Sequence, residues 1–232
     1  MIAKAGLVWG ARVAALALCL LAGCATLPDD FERAPSKAMA LSTDTALGRI
    51  AARSQPDPDL SGFRLMPSGD FALSTRLELV RRAQRTVDVQ YYQIDNDETG
   101  RFMLRTLRDA ALRGVRVRLL MDDLYTSGAD DLLIALAATP NLELRLFNPF
   151  PAGRGSMLGR FAFSLFDFTR VNRRMHNKLF IVDGAMAVAG GRNIGNAYFR
   201  QAEGANFLDL DTFVTGALIP RLASLFDQYW NS

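Results

Sequence analysis

Apolar positions fall at helical spacing in Phe71–Arg85, where Leu73, Leu77 and Val80 follow the turn Pro67-Ser68-Gly69-Asp70. Thr86–Gln93 is β-branched and aromatic, which predicts a strand. Asp95-Asn96-Asp97-Glu98 then offers cap residues and first-turn acids for a helix that runs through Leu112 and stops at Gly114. Val115–Met121 is the next predicted strand, Asp130–Ala138 a helix and Leu142–Phe147 a strand again. Short links in this alternation predict an α/β fold with a mostly parallel central sheet flanked by helices. The rhythm breaks over Asn148–Arg174, where prolines and glycines precede the aromatic run Leu158–Phe168, either a lid or rim or a short buried helix. Lys178–Val182 and Met186–Ala189 read as strands joined at Asp183-Gly184. Phe207–Val214 reads as another, and Leu218–Trp230 as an amphipathic helix.

Composition changes the picture mainly at the start of the chain. Lys4 and Arg12 lead into the apolar run Val13–Ala22, too short to span a bilayer and suited to a signal-peptide core over residues 1–23. Leu21-Ala22-Gly23-Cys24 resembles the bacterial lipobox, which implies cleavage before Cys24 and lipid attachment to its sulfur. Ala25 resembles the pattern forwarded to an outer membrane, so the expectation is a lipoprotein of the bacterial cell envelope, on its periplasmic side. Residues 24–60 read as a tether containing a short helix within Ala40–Ala52, and 61–232 as one folded domain.

Removing the leader also removes Lys4, Arg12 and Cys19. The formal net charge of +3 then falls to about +1, which argues against nucleic acid as a partner. One retained cysteine and one histidine exclude a disulfide, thiol chemistry and a Cys/His metal site. Of the arginine clusters only Arg170-Arg173-Arg174 adjoins the chemistry described next, as a solvated face or as a contact to an anionic substrate.

That chemistry lies in Arg174–Phe199. His176, the only histidine, stands two residues before Lys178, so in extended backbone both side chains leave one face. Asp183, the pair Gly190-Gly191 and Asn193 follow. A phosphate needs such a set, with an attacking group and with cations or donors on its non-bridging oxygens.

His176, Lys178, Asp183, Gly190, Gly191 and Asn193 match the pattern H-x-K-x4-D-x6-G-(G/S)-x-N of the phospholipase D superfamily. VDVQYYQ, GVRVRLLMDD, FNPF and MHNK resemble its cardiolipin-synthase-like branch, over about residues 60–232. The resemblance implies a phospholipase D-like fold and metal-independent phosphodiester exchange without a cofactor. His176 would form a phosphohistidine, Lys178, Gly191 and Asn193 would bind the phosphoryl oxygens, and Asp183 would have a more structural role. Asp209 is the candidate acceptor for the second imidazole nitrogen, with Asp211 as the fallback. The implied substrate is a phospholipid such as phosphatidylglycerol, at a membrane reached through Cys24.

The family's chemistry uses two histidines, and this chain has one. Three readings follow: the first half of a two-motif phosphatidyltransferase, a homodimeric single-motif phosphodiesterase or nuclease, or an inactive lipid-binding fragment.

Overall fold

The computed structural model describes residues 33–164 and 167–232. The predicted leader, Cys24 and the first part of the tether lie outside the described residues. The rest forms seven strands and seven helices in the chain order α1 (Ala46–Ser54), β1 (Ser61–Met66), α2 (Gly69–Arg82), β2 (Thr86–Tyr91), α3 (Glu98–Leu112), β3 (Arg116–Asp122), α4 (Asp130–Ala137), β4 (Leu142–Phe147), α5 (Met157–Ala162), α6 (Phe168–Val171), β5 (Lys178–Val182), β6 (Met186–Gly190), β7 (Asp211–Gly216) and α7 (Ile219–Trp230).

All strands join one sheet in the order β1-β7-β6-β5-β2-β3-β4. Only β2–β3 and β3–β4 pair in parallel, as two strand–helix–strand units require. The expectation of a mostly parallel sheet is corrected here, because the four pairings β2–β5, β5–β6, β6–β7 and β7–β1 are antiparallel. The long connection after β4 brings the chain back beside β2 running the other way. The turn at Asp183-Gly184 then reverses it, with φ of +52° and +59° at those two residues.

Local capping explains the helix starts. The side chains of Thr45, Ser68 and Asp97 accept hydrogen bonds from the N–H groups of Gly48, Phe71 and Gly100 respectively. Gly114, at φ +94°, closes α3.

Strand alternation divides the core between the two faces of the sheet. Val87, Val89, Tyr91, Leu119, Phe180 and Val188 face α1–α4, while Leu120, Leu179, Ile181 and Ala187 face α7 through Phe226 and Trp230. The α7 face also buries charge. Arg118 in β3 pairs with Asp88 in β2 at 2.6 Å and with Asp227 in α7 at 3.0 Å.

The tether departs from the reading of the sequence, and the aromatic connection takes the short-helix alternative but leaves most of that helix exposed. Residues described from the tether are packed rather than free. Ala38 N–H donates to Asp227 at 2.9 Å, Arg118 donates to the Ser36 carbonyl at 3.2 Å, and α1 buries Leu47 and Ala51 in the core. The aromatic connection forms the short helix α5, which exposes Leu158 and buries Arg160. Asp123 clamps this connection to the end of β3 through Arg154, Arg160 and the Phe150 N–H.

Candidate active site

Strand register brings the motif to one edge of the sheet. Tyr91 at the end of β2 lies opposite Lys178 at the start of β5. Ala189 near the end of β6 lies opposite Leu179, and Gly190 lies opposite Asp211 at the start of β7. The carboxyl end of β3, at Asp122, reaches the same edge. Carboxyl ends of parallel strands are where open α/β sheets place their ligands.

His176 is exposed just before β5, and Lys178 is buried at its first position. The Lys178 ammonium lies 3.0 Å from Nδ1 and 3.2 Å from Nε2 of His176, and it donates to the His176 carbonyl at 2.8 Å. No carboxylate forms an ion pair with Lys178 among the described residues. Burial lowers its pKa, against an opposing pull from the charge of Asp209. A buried cation beside an exposed imidazole suits an incoming anion, which would restore the solvation that burial removed.

Tyr92, directly after β2, completes the floor. Its ring lies 4.6 Å from the His176 ring and 5.2 Å from the Lys178 ammonium, and Tyr125 meets it edge-on at 5.2 Å. Desolvation, followed by a hydrogen bond with Tyr125, pushes the Tyr92 phenol up to about 12, so it keeps its proton at neutral pH.

The paired glycines admit β7. A Cβ at Gly190 would collide with Asp211 Cα and the Leu210 carbonyl, and one at Gly191 with the Asp209 carboxylate. Asp209 therefore sits in the cluster, against Gly191 and within electrostatic reach of Lys178. Its carboxylate accepts from the Leu210 N–H at 2.7 Å and forms no hydrogen bond with His176. Asp211, the fallback, is spent on other partners. It is buried between Arg76 at 3.0 Å and Arg192 at 3.3 Å.

Asn193 is buried after β6. Its amide nitrogen donates to the Tyr198 hydroxyl at 2.9 Å, while Oδ1 has no partner among the described residues. The two amide orientations have one shape. In the other, Tyr198 donates to the oxygen and the unpartnered position becomes an N–H pair, the form a phosphate oxygen accepts.

Asp183 stands elsewhere. It ends β5 at the opposite edge of the sheet, roughly 16 Å from Lys178 along an extended strand. Its buried carboxylate accepts the N–H groups of Gln84 at 3.1 Å, Arg85 at 2.8 Å and Thr86 at 3.0 Å. It ties the α2–β2 link to the β5 turn, away from His176 and Lys178.

Reading the residues alone missed Asp122. Its carboxylate accepts the Met175 and Leu124 N–H groups, each at 2.8 Å, and pairs with Arg174 at 3.2 Å. It thereby fixes the backbone entering His176, while burial raises its pKa. The available signal was a pair of acids ending an apolar strand.

The family described as "Cardiolipin synthase, PLD-like domain" matches residues 77–230. Over 159 residues the chain is 47% identical to cardiolipin synthase C of Escherichia coli (strain K12), covering 68% of this chain and 33% of that protein. It spans about a third of the length of the curated relatives it matches. Among solved structures, NucT from Helicobacter pylori superposes with a TM-score of 0.54 at 17% identity, over 75% of this chain and 96% of that one. A phosphatidylserine synthase of Haemophilus influenzae Rd KW20 superposes with a TM-score of 0.55 at 18% identity, over 81% and 41%. These likenesses establish the fold, and the family match establishes that the chain belongs to the phospholipase D-like family of cardiolipin synthases.

Proposed function

We propose that this chain supplies one histidine–lysine motif of a phosphodiester-exchange site that acts on phospholipids. The observation that carries the reading is the buried Lys178 ammonium, without an ion-paired carboxylate among the described residues, against the exposed imidazole of His176. In the first step an imidazole nitrogen of His176 attacks phosphorus. A nitrogen–phosphorus bond forms, the bond to the first alcohol's oxygen breaks, and that oxygen takes a proton. In the second step an acceptor alcohol or water gives up a proton and displaces His176. Lys178 and the Asn193 amide hold the non-bridging oxygens as their charge grows. Asp209 tunes the charge at Lys178, and Asp122 and Tyr92 hold the segment and ring of His176.

The proton carrier comes from a second motif, because the chain has no second histidine. That motif belongs to a second copy of this chain or to a further segment. The name cardiolipin synthase, borne by the relative in Escherichia coli, supports a phosphatidyl donor with a lipid alcohol as acceptor. Lipid attachment at Cys24 in the cell envelope would keep the site at such a surface.

The test incubates the full chain with phosphatidylglycerol labelled at phosphorus, in mixed micelles. Expected are glycerol release and an acid-labile label on the protein, both absent in His176→Asn. Turnover that survives His176→Asn would overturn the reading. So would label on another residue.

A further inference from the structure

The segment before α1 forms a strap whose direction can be read from its partners. The Lys37 carbonyl accepts from Arg116 at 2.8 Å, that of Ser36 from Arg118 at 3.2 Å and that of Ala34 from Arg145 at 2.9 Å. Arg116 opens β3, Arg118 lies two residues on, and Arg145 stands opposite Leu120, two further still. Arg33 lines one cavity with Pro149 and with Phe147, which stands opposite Asp122 at the end of β3. From Lys37 back to Arg33 the strap therefore runs from the amino end of β3 to its carboxyl end, the edge that carries His176. Helix α7 holds it there. Ser36 and Asn231 exchange two hydrogen bonds of 3.0 Å, and the Ala38 N–H donates to Asp227 at 2.9 Å. Cys24 stands nine residues upstream of Arg33, a reach of at most about 31 Å. To lay the opposite edge on a surface, the chain would have to double back along β3, about 23 Å for its seven residues. The strap thus favours one edge as the side from which an anchor at Cys24 pulls.

That edge also carries α5, whose pattern is reversed. Its one charged residue, Arg160, is buried and donates to the Asp123 carbonyl and the Thr126 hydroxyl. Its apolar residues Met157, Leu158 and Phe161 share a face at helical spacing and are exposed, as is Phe163 just beyond the helix. A helix on a water-facing surface has the opposite arrangement, with charge outside and apolar residues within. Phe161 also rests edge-on against Phe150, whose N–H is held by Asp123, so the exposed face is fixed in place. No hydrogen bond or ring contact joins these four residues to His176 or Lys178 among the described residues.

The direction of the strap decides what covers this face. We propose that α5 is a docking surface for a lipid bilayer, with Met157, Leu158, Phe161 and Phe163 entering the hydrocarbon boundary while the strap keeps the anchored end of the chain on the same side. The contact presupposes the lipid attachment at Cys24 proposed as the anchor. It takes no headgroup and no reacting group, and it fixes how the domain lies on the surface.

The full chain, matured in a bacterial host, is reconstituted into phosphatidylcholine vesicles that carry a nitroxide on the acyl chain. A polarity-sensitive fluorophore is attached through Leu158→Cys or, separately, through Leu112→Cys. Leu112 ends α3 at the opposite edge of the sheet. The two leucines are 82% and 61% exposed, so apolar exposure alone would treat the two labels alike. Expected are a blue shift and quenching at Leu158→Cys and neither at Leu112→Cys. With the label on Met157→Cys, adding Leu158→Asp should abolish the quenching. His176→Ala should leave the contrast between the edges unchanged, which separates the surface from the reacting site. The contrast supports the proposal even if the parent chain takes up label, a result that would show Cys24 free and so overturn only its lipid attachment. Equal quenching at both positions, quenching at Leu112→Cys alone, quenching at neither, indifference to Leu158→Asp or loss of the contrast in His176→Ala would each overturn the docking surface.

Discussion

At the scale of single residues, the role proposed for Lys178 sets function against stability. Burial lowers its pKa, so the folded state gives up the proton at lower pH than the unfolded chain, whose ordinary value is 10.5. The cost of the buried charge is complete below the folded value and disappears as pH rises toward 10.5, so stability rises with pH across that window. Lys178→Met should therefore raise the melting temperature at pH 7 while turnover is lost, and its advantage should shrink as pH approaches 10. Thermal melts between pH 7 and 10 decide this. A variant less stable than the parent at pH 7 would show that Lys178 stabilises the fold.

The two glycines separate in the same way. At Gly190 an added methyl meets backbone, and at Gly191 it meets the carboxylate of a half-buried side chain that can move. Gly190→Ala is expected to cost about 1–3 kcal/mol, as overpacking does, with Gly191→Ala close to neutral. Urea midpoints of the two variants measure it, and equal losses would contradict the stated cause.

At the scale of elements, Asp211 gathers four parts of the fold. Arg76 of α2 bonds it and also donates to the Tyr91 hydroxyl of β2 at 2.8 Å. Arg192 bonds it and also donates to the Met66 carbonyl that ends β1, at 2.9 Å. Asp211→Ala would leave two buried guanidiniums without their carboxylate, so a loss of about 3–5 kcal/mol is expected. Asp211→Asn keeps an acceptor and should lose less. Denaturant unfolding of both variants tests the order, and Asp211→Ala within 1 kcal/mol of the parent would count against it.

The same residues show what could be read from sequence. Elements α3, β4 and β5 were legible to within a residue, because each has its own periodicity and punctuation. Strand β1 was not legible. It is an edge strand that exposes Phe63 and Leu65, so its apolar residues mark no buried face. The antiparallel half of the sheet was hidden for another reason. The pairing of β5 with β2 joins residues about ninety positions apart and leaves no local trace. In the site, spacing identified His176, Lys178 and the glycines, whose constraint is local to one turn and two strands. The fixed spacing of Asp183 also proved local, but it serves the turn. Tyr92 and Asp122 reach His176 only through the sheet order, so no spacing announced them.

At the scale of the whole molecule, the proposed function requires a second imidazole, and mixing experiments locate its source. If two copies form one site, each site needs His176 from both. Parent and His176→Ala chains, co-refolded at equal amounts, then pair at random, and only parent–parent pairs keep both imidazoles. Activity should fall to about a quarter of that of the same total amount of parent chain, following the square of the parent fraction. If each chain acts alone, or with a different polypeptide in excess, it falls to about half, following the fraction itself. Dilution gives an independent reading. A site shared between two copies loses specific activity as the protein is diluted below its dissociation constant, and a self-sufficient chain does not. A linear response to mixing together with constant specific activity on dilution would exclude the two-copy site. The second motif required by the proposed function would then come from a further segment or from a different polypeptide.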